Sequence, residues 1–141
     1  LALTPVAVFS RVGRVARLLD QPRKKAFAAH DLEGWEFDVL AALRRIGSPY
    51  QLSPGRLVKE TLVTSGTMTN RIDRLADRGF VRRTPDPDDR RGVLVVLTMS
   101  GLERVDAAFA ELLAHERALL GSMAPAQHTQ LARLLKSLMS S

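Results

Sequence analysis

The spacing of apolar residues changes at Gly79, and this change limits the folds that the chain can adopt. Before Gly79, apolar residues recur every three or four positions, as on one face of a helix: Met68, Ile72 and Leu75. After it, residues 80–84 and 93–97 form two short runs that contain β-branched residues and predict strands. The polar residues 85–92 between them include two prolines and one glycine. We therefore expect a helix followed directly by a β-hairpin with a long, charged tip.

A second short helix is predicted immediately before this one. Ser53 is a good N-cap residue, and Pro54 suits the first helical position because an N–H there has no helical partner. The apolar residues of this helix are Leu57, Val58 and Leu62. A fresh N-cap follows at 64–67, so the next helix spans residues 64–78 and Gly79 ends it. Two short helices joined by a tight turn and followed by a hairpin make a winged helix-turn-helix.

Two longer helices are predicted before this winged segment. The first carries apolar residues at helical spacing, with arginines on the opposite face: Val8, Phe9, Val12, Val15, Ala16 and Leu19. Pro22 ends this helix or lies just beyond it. The second spans roughly residues 34–46 and stops at a Gly-Ser-Pro sequence, residues 47–49. Its apolar stripe consists of Phe37, Leu40, Ala41 and Ile46.

Two further helices are predicted after the hairpin. Thr98 or Ser100 caps the first, and Ser100 with Glu103 fits a capping box. The last helix begins near Pro125. The terminal segments carry more apolar residues than one small core requires: Phe9, Val12, Leu112, Leu113, Leu119, Leu134, Leu135 and Leu138. This surplus favours burial against a second copy of the chain, although a single thick monomeric core is an alternative.

The elements together predict a mainly α fold with a small β-hairpin wing. We expect one domain over residues 1–141, in which the winged helix-turn-helix lobe spans residues 34–98. The flanking segments, residues 1–30 and 99–141, are predicted to form the dimerisation helices. A length of 141 residues is sufficient for one hydrophobic core.

The composition excludes several classes of function. The absence of cysteine removes disulfides, thiolate nucleophiles and Cys-ligated zinc. His30, His115 and His128 are scattered, and no Gly-rich phosphate loop is present, so we expect no enzyme, metal site or cofactor. No apolar run approaches the 18 or so residues that span a bilayer, so we expect a cytoplasmic protein that does not bind membranes.

The net charge of +6 suggests a polyanionic partner without identifying it. Seventeen of the 21 basic residues are arginine, whose planar guanidinium suits phosphate and carboxylate groups. Double-stranded DNA fits the predicted fold, because the second short helix can enter the major groove and read base edges. The alternative is a basic interaction module that binds RNA or an acidic protein without operator specificity.

The outward face of the 64–78 helix carries the candidate base and phosphate contacts. A helical wheel places these residues away from the apolar face: Gly66, Thr67, Thr69, Asn70, Asp73 and Arg74. Small hydroxyls, an amide and an arginine near a helix N-terminus suit both kinds of contact. The same residues would also make an ordinary solvated face with a good cap.

Four segments of the sequence together resemble the MarR family. They are residues 53–57, which begin Ser-Pro and end at Leu57; residues 65–75, Ser-Gly-Thr-Met-Thr-Asn-Arg-Ile-Asp-Arg-Leu; Gly79-Phe80-Val81; and the run from Asp89-Arg90-Arg91 to Leu97-Thr98. The resemblance covers nearly the whole chain, and Asp-x-Arg at Asp89 and Arg91 is its most specific part. It departs mildly at Met99 and Ser100, where a Pro-Glu pair is common.

The resemblance implies a function and a set of contacts. Members of this family are homodimeric bacterial transcription factors that bind palindromic operators and are released by small ligands. The resemblance also implies that Arg90 and Arg91 enter the minor groove and that Asp89 braces the wing by pairing with an arginine. The complete set of candidate DNA-binding residues is Ser53, Ser65, Thr67, Thr69, Asn70, Arg74, Arg90 and Arg91.

Arg71 indicates a candidate effector site. Its wheel position lies between Met68 and Leu75, and a buried arginine there needs a partner, for which Asp38 is a candidate. With Arg83, the spacing resembles the urate-responsive branch of the family, in which matching residues bind an anionic purine. That branch adds a tryptophan from the first helix, whereas Trp35 belongs to the second, so the match is incomplete. The expected effector is a small anion, a phenol or a purine; the alternative is a purely structural Arg71–Asp38 pair.

Overall fold

The computed structural model describes residues 1–140, and it contains the predicted helices and wing. The helices are α1 (Thr4–Ala28), α2 (Gly34–Arg45), α3 (Pro54–Thr61), α4 (Ser65–Asp77), α5 (Met99–Leu120) and α6 (Pro125–Met139), and the strands are β1 (Gln51–Leu52), β2 (Val81–Asp86) and β3 (Asp89–Leu97). The strands form one antiparallel sheet in the order β1-β3-β2. The predicted mainly α fold with a small β wing is therefore confirmed. Of the helices described, none has both the length and the apolar character needed to cross a bilayer.

Side-chain caps set the two short helices at the predicted positions. The Ser53 hydroxyl accepts the Arg56 N–H at 3.2 Å, and the Thr64 hydroxyl accepts the Thr67 N–H at 3.2 Å. Gly79 has a φ of 78°, as expected of the residue that follows a helix C-cap. The assignment of Leu62 to the apolar face of α3 was wrong. Leu62 is the left-handed C-cap in the turn between α3 and α4, where it is 89% exposed.

One continuous core joins the winged lobe to α1 and α5. The rings of Phe27 and Phe37 stack with centroids 4.2 Å apart, and Phe109 packs edge-on against Phe37 at 4.8 Å. The centre of this core is aliphatic and fully buried: Leu40, Leu43, Leu57, Leu75, Val95 and Val105. The prediction that Ile46 belongs to the apolar stripe was wrong, because this residue caps the C-terminus of α2 and faces solvent.

Helix α1 continues past Pro22, contrary to the sequence prediction. Proline removes one backbone hydrogen bond from a helix interior, and the turns beyond it need other support. Ala26 and Phe27 provide that support because they are buried in the core. Arg23 adds an ion pair from its Nη1 to Glu116 Oε1 of α5, 3.0 Å away.

The wing strands extend further into the polar segment than predicted, and the tip consists of Pro87 and Asp88 alone. Most residues there are solvent-exposed, so no alternation of apolar side chains marks them as strand. Pro85 is tolerated because β2 lies at the edge of the sheet, where a missing N–H breaks no necessary bond. The short strand β1 was not predicted, and it pairs with β3 through Gln51 and Val96.

Thr98, one of the two predicted candidates, is the N-cap of α5. Its hydroxyl accepts the Gly101 N–H at 3.1 Å and donates to the Gly79 carbonyl at 2.6 Å. Ser100 lies within the first turn of the helix, so the capping box expected from Ser100 and Glu103 does not form. The Thr98 hydroxyl makes a second bond that Ser100 does not, and this bond joins the start of α5 to Gly79 at the end of α4.

The terminal helices expose most of their apolar residues. Those more than one-third exposed include Phe9, Val12, Leu113, Leu119, Leu134, Leu135 and Leu138. Leu112 differs from the other members of the predicted surplus, since it is buried in the core. Helix α6 contains no buried residue at all.

Candidate nucleic-acid interface

Helix α4 divides into a buried face and an exposed polar face, as its sequence predicts. Met68, Ile72 and Leu75 are at most 1% exposed. The predicted contact residues on this helix all face solvent: Ser65, Thr67, Thr69, Asn70 and Arg74. Ser53, at the start of α3, is half-buried, and its hydroxyl is engaged in the cap.

The polar groups on this face differ in how freely they can meet a ligand. The Thr69 hydroxyl donates to the Ser65 carbonyl at 3.1 Å, and the Thr64 hydroxyl donates to that of Thr67 at 2.9 Å. Within residues 1–140, neither the Asn70 amide nor the Arg74 guanidinium makes a hydrogen bond. These two side chains therefore offer their full donor and acceptor capacity to a partner.

The wing is tied to α4 by an ion pair between Arg83 of β2 and Asp73. Asp73 Oδ1 accepts from the Arg83 guanidinium, and both side chains are more than one-third exposed. Arg83 was predicted to converge on Asp38 and Arg71, and the structure gives it this different partner. The pair links the orientation of the wing to that of the helix beside it.

Arginines on the opposite flank of α4 contact the start of α2. The guanidinium carbons of Arg71 and Arg74 lie 5.5 Å and 5.0 Å from the centroid of the Trp35 ring. Arg78 Nη1 lies 2.5 Å from Glu36 Oε2, and the Glu36 side chain is 6% exposed. The sequence predicted no role for Trp35, Glu36 or Arg78 at this interface. The sequence feature that could have revealed these contacts is the spacing of Arg71, Arg74 and Arg78, which places all three on one side of the helix.

Arg78 also binds the loop between α1 and α2. Its Nη2 donates to the Asp31 carbonyl at 2.9 Å and to the Asp31 carboxylate at 2.8 Å. Its guanidinium lies 4.7 Å from the ring centroid of Phe80. This one side chain therefore joins the C-terminal end of α4 to two other segments.

The predicted Arg71–Asp38 pair does not form. Arg71 flanks the apolar face of α4 and is only half-buried against Trp35, so it needs no buried counter-charge. Asp38 is exposed and has no ion pair among the described residues. No ion pair therefore joins Asp38, Arg71 and Arg83 to one another in the described chain, so the expected structural pair is absent.

The tip of the wing is shaped by carboxylates that accept backbone N–H groups. Asp89 Oδ1 accepts the Arg91 N–H at 3.1 Å, and Asp86 Oδ1 accepts the Asp88 N–H at 2.9 Å. The prediction that Asp89 pairs with an arginine side chain was wrong, because its contact is to backbone. Arg90 and Arg91 are exposed and have no ion pair within the described chain.

An open groove of about 440 Å³ lies between the end of α2 and α5. Its lining combines Arg44, Arg45 and Asp106 with apolar residues, among them Phe109 and Leu113. Arg44 Nε donates to Asp106 Oδ1 at 2.8 Å, and this hydrogen bond raises the pKa of Arg44 above its ordinary value. In residues 1–140 no cluster of three or more His, Asp or Glu side chains is placed to hold a metal ion.

Comparison with known proteins connects this geometry to one family. A model of the MarR family matches residues 30–92. The chain is 36% identical to the HTH-type transcriptional regulator PecS of Dickeya dadantii over 135 residues, which cover 96% of this chain and 81% of PecS.

Two solved structures share the whole architecture. One is a mutant MarR from E. coli complexed with operator DNA, with a TM-score of 0.77, 26% identity and coverage of 96% of each chain. The other is Bordetella bronchiseptica BpsR, whose DNA binding is regulated by 6-hydroxynicotinic acid. It matches with a TM-score of 0.69 and 29% identity over 92% of this chain and 94% of BpsR.

Proposed function

Because this chain belongs to the MarR family of DNA-binding transcriptional regulators, we propose that it is a homodimeric repressor of a palindromic operator, released by a small anionic or aromatic ligand. The observation that carries the proposal is the exposed polar face of α4 beside a wing that carries Arg90 and Arg91 next to its tip, both exposed and without an ion pair in the described chain. The likeness to MarR bound to operator DNA supports it. We assign the protein no catalytic role and place its action in the bacterial cytoplasm, where its DNA target lies.

In this proposal α4 enters the major groove and reads base edges. Arg74 and Asn70 carry the readout, since a guanidinium recognises guanine and an amide recognises adenine through paired hydrogen bonds. Ser53, Ser65, Thr67 and Thr69 lie in or near the first turns of α3 and α4 and contact phosphates, where the helix N-termini also attract negative charge.

The wing contributes affinity from the adjacent minor groove. Arg90 and Arg91 insert there, because the negative potential of a narrow minor groove attracts arginine. Asp89 fixes the conformation of the strand that carries them through its bond to the Arg91 N–H. The wing therefore strengthens binding mainly through charge, whereas α4 supplies sequence preference.

The dimer is supported by the exposed apolar residues of the terminal helices. Phe9 and Leu134 are each 58% exposed, and a second copy with the same faces would cover them. A two-fold dimer presents two copies of α4 about one DNA turn apart, so its operator is a palindrome.

A selection from random duplexes tests the DNA-binding proposal. We expect a palindrome bound more tightly than random duplex by a factor of roughly a thousand or more. Arg74→Ala should change the preferred bases, whereas Arg90→Ala should lower affinity and the salt dependence without changing them. Arg11→Ala is the matched control, because Arg11 is exposed on α1 and bonds only to its own helix. Binding without preference for any duplex would favour the RNA or acidic-protein alternative.

We propose Arg71 and Arg83, with Asp38, as the effector-responsive residues. A ligand anion that draws Arg83 away from Asp73 would release the wing from α4 and shift the population away from the DNA-binding geometry. The regulation of BpsR by 6-hydroxynicotinic acid supports an anionic aromatic ligand.

Titration of the operator complex with urate, xanthine, salicylate and 6-hydroxynicotinate tests this assignment. Release by one of them should be lost in Arg83→Ala or Arg71→Ala and retained in Arg45→Ala, whose side chain lines the α2–α5 groove instead. Release that is lost only in Arg45→Ala would move the effector site to that groove.

A further inference from the structure

We propose that Trp35 is a positioning residue that holds the guanidinium of Arg74 in the orientation from which it reads a base. The proposal rests on the proposed DNA-binding function. Arg74 is an exposed residue of α4, and its guanidinium carbon lies 5.0 Å from the centroid of the indole ring. A free arginine on a helix surface samples many rotamers, and ordering it on contact with DNA costs affinity.

The contact leaves the base-reading edge of Arg74 available. The guanidinium carbon lies over the indole ring, and the N–H donors of the group lie in its own plane. Within the described part of the chain none of these donors has a hydrogen-bond partner. The indole therefore orders the group without occupying the atoms that would bind guanine.

Trp35 is itself held in place from two sides. Its Nε1–H donates to Glu33 Oε2 at 2.6 Å, and the Glu33 N–H donates to Glu36 Oε1 at 3.0 Å. Arg71 lies against the same ring at 5.5 Å. Glu36 also forms an ion pair with Arg78, so α2 contacts α4 a second time, one helical turn beyond Arg74. The ring is thus fixed relative to the helix whose arginine it orders.

Base preference in a Trp35 variant is the central test. Trp35→Leu should weaken operator binding about threefold for each half-site and relax the preference at the one base pair that Arg74 reads. The salt dependence should not change, because no charge is lost. Trp35→Phe retains an aromatic face and should restore the preference. A merely structural tryptophan would lower the affinity for every sequence alike.

A double-substitution cycle separates direct coupling from a general effect. In an Arg74→Ala background, Trp35→Leu should cause no further loss of base preference, because the group that it positions is gone. Tyr50→Leu is the matched control: Arg44 lies 5.6 Å from the Tyr50 ring centroid, so it removes a similar contact away from α4. Additive effects of Trp35→Leu and Arg74→Ala would overturn the proposal.

Fluorescence provides a test that needs no change at Trp35. Trp35 is the only tryptophan of the chain, so protein emission reports on its surroundings directly. Arg74→Ala should alter the emission of the free protein, and emission that is identical to wild type would overturn the proposal even if Trp35→Leu fails to fold. If the wild-type protein selects no duplex, the proposed function fails; if it does and Trp35→Leu leaves every base preference intact, only the positioning role fails.

Discussion

The winged lobe buries most of its apolar residues, whereas the terminal helices expose most of theirs. In the lobe, Leu40, Leu57 and Leu75 are completely buried by other residues of the same chain. On the terminal helices, Phe9 of α1 and Leu134 of α6 are each 58% exposed. Both regions have the apolar spacing of amphipathic helices. The same apolar spacing therefore marks residues that are buried within the chain in the lobe and residues that the chain leaves exposed on the terminal helices.

This difference separates two sources of stability. Burial within the lobe stabilises each chain by itself, so its contribution does not depend on protein concentration. In the proposed dimer, burial of the terminal helices against a second copy would stabilise the assembly by mass action. Substitutions in the two regions should therefore be distinguishable by varying the protein concentration alone.

Leu75→Ala should have the largest effect, a loss of about 3 kcal/mol in the free energy of unfolding. Leu75 is fully buried at the centre of the lobe, and truncation of its side chain leaves a cavity among other buried residues. Urea unfolding at two protein concentrations should give the same loss. Leu62→Ala is the control, because Leu62 is 89% exposed and should change stability by less than about 0.5 kcal/mol. Equal losses in the two variants would contradict the division between buried and exposed leucines.

Arg78→Ala should cost about 2 kcal/mol of unfolding free energy, because it leaves the buried Glu36 carboxylate without its partner. The value is below that of a fully buried pair, since the Arg78 side chain is 31% exposed. Urea unfolding measures it, and Arg82→Ala, at an exposed position without an ion pair in the described chain, is the control. Equal stability of the two variants would show that Glu36 is not paired in solution.

The sequence predicted the helices of the lobe because local rules act there. Ser53 and Thr64 cap short helices through their own hydroxyls, and Met68, Ile72 and Leu75 mark a buried face by spacing alone. Each of these features depends on residues that are close together in the sequence. The same applies to the exposure of Asn70 and Arg74.

The sequence did not predict the contacts that depend on distant partners. Arg71 was expected to be buried beside Asp38, and it lies against Trp35 instead, because the angle between α2 and α4 decides which side chain is near. Helix α1 passes Pro22 because residues of α5 and the core support it from outside. The wing strands extend into a polar segment, where backbone pairing with β3 gives no apolar signal. In each case the deciding interaction is tertiary.

Leu134→Ala should weaken the assembly by about 1.5 kcal/mol for each chain that loses the side chain. Sedimentation should show dissociation at higher protein concentration than for wild type, while the urea unfolding of the dilute monomer stays unchanged. Lys136→Ala on the same helix is the control, because its charged group should contribute little to an apolar interface. A loss of monomer stability instead of association would mean that α6 packs on its own chain, and the contrast between the two regions would fail.

Gly92→Ala should have the smallest effect on stability, because it acts on a part of the lobe that lies outside the core. A Cβ at this position would lie 2.9 Å from Asp89 Oδ2 and 3.2 Å from Asp89 Cβ, so the Asp89 side chain must move. Its hydrogen bond to the Arg91 N–H would then be lost, at a cost of about 1 kcal/mol.

This substitution should nevertheless reduce operator affinity, because the proposed insertion of Arg90 and Arg91 into the minor groove depends on the strand conformation that this bond fixes. Titration of labelled operator should show about a fivefold loss, which is the binding equivalent of about 1 kcal/mol. Gly34→Ala is the control, since a Cβ there meets no atom within 4 Å. Unchanged affinity of Gly92→Ala would show that the wing binds DNA without the Asp89 turn. A loss of affinity with little loss of stability would show that the lobe itself has two parts: a core that stabilises the fold and a wing tip that contributes to DNA binding.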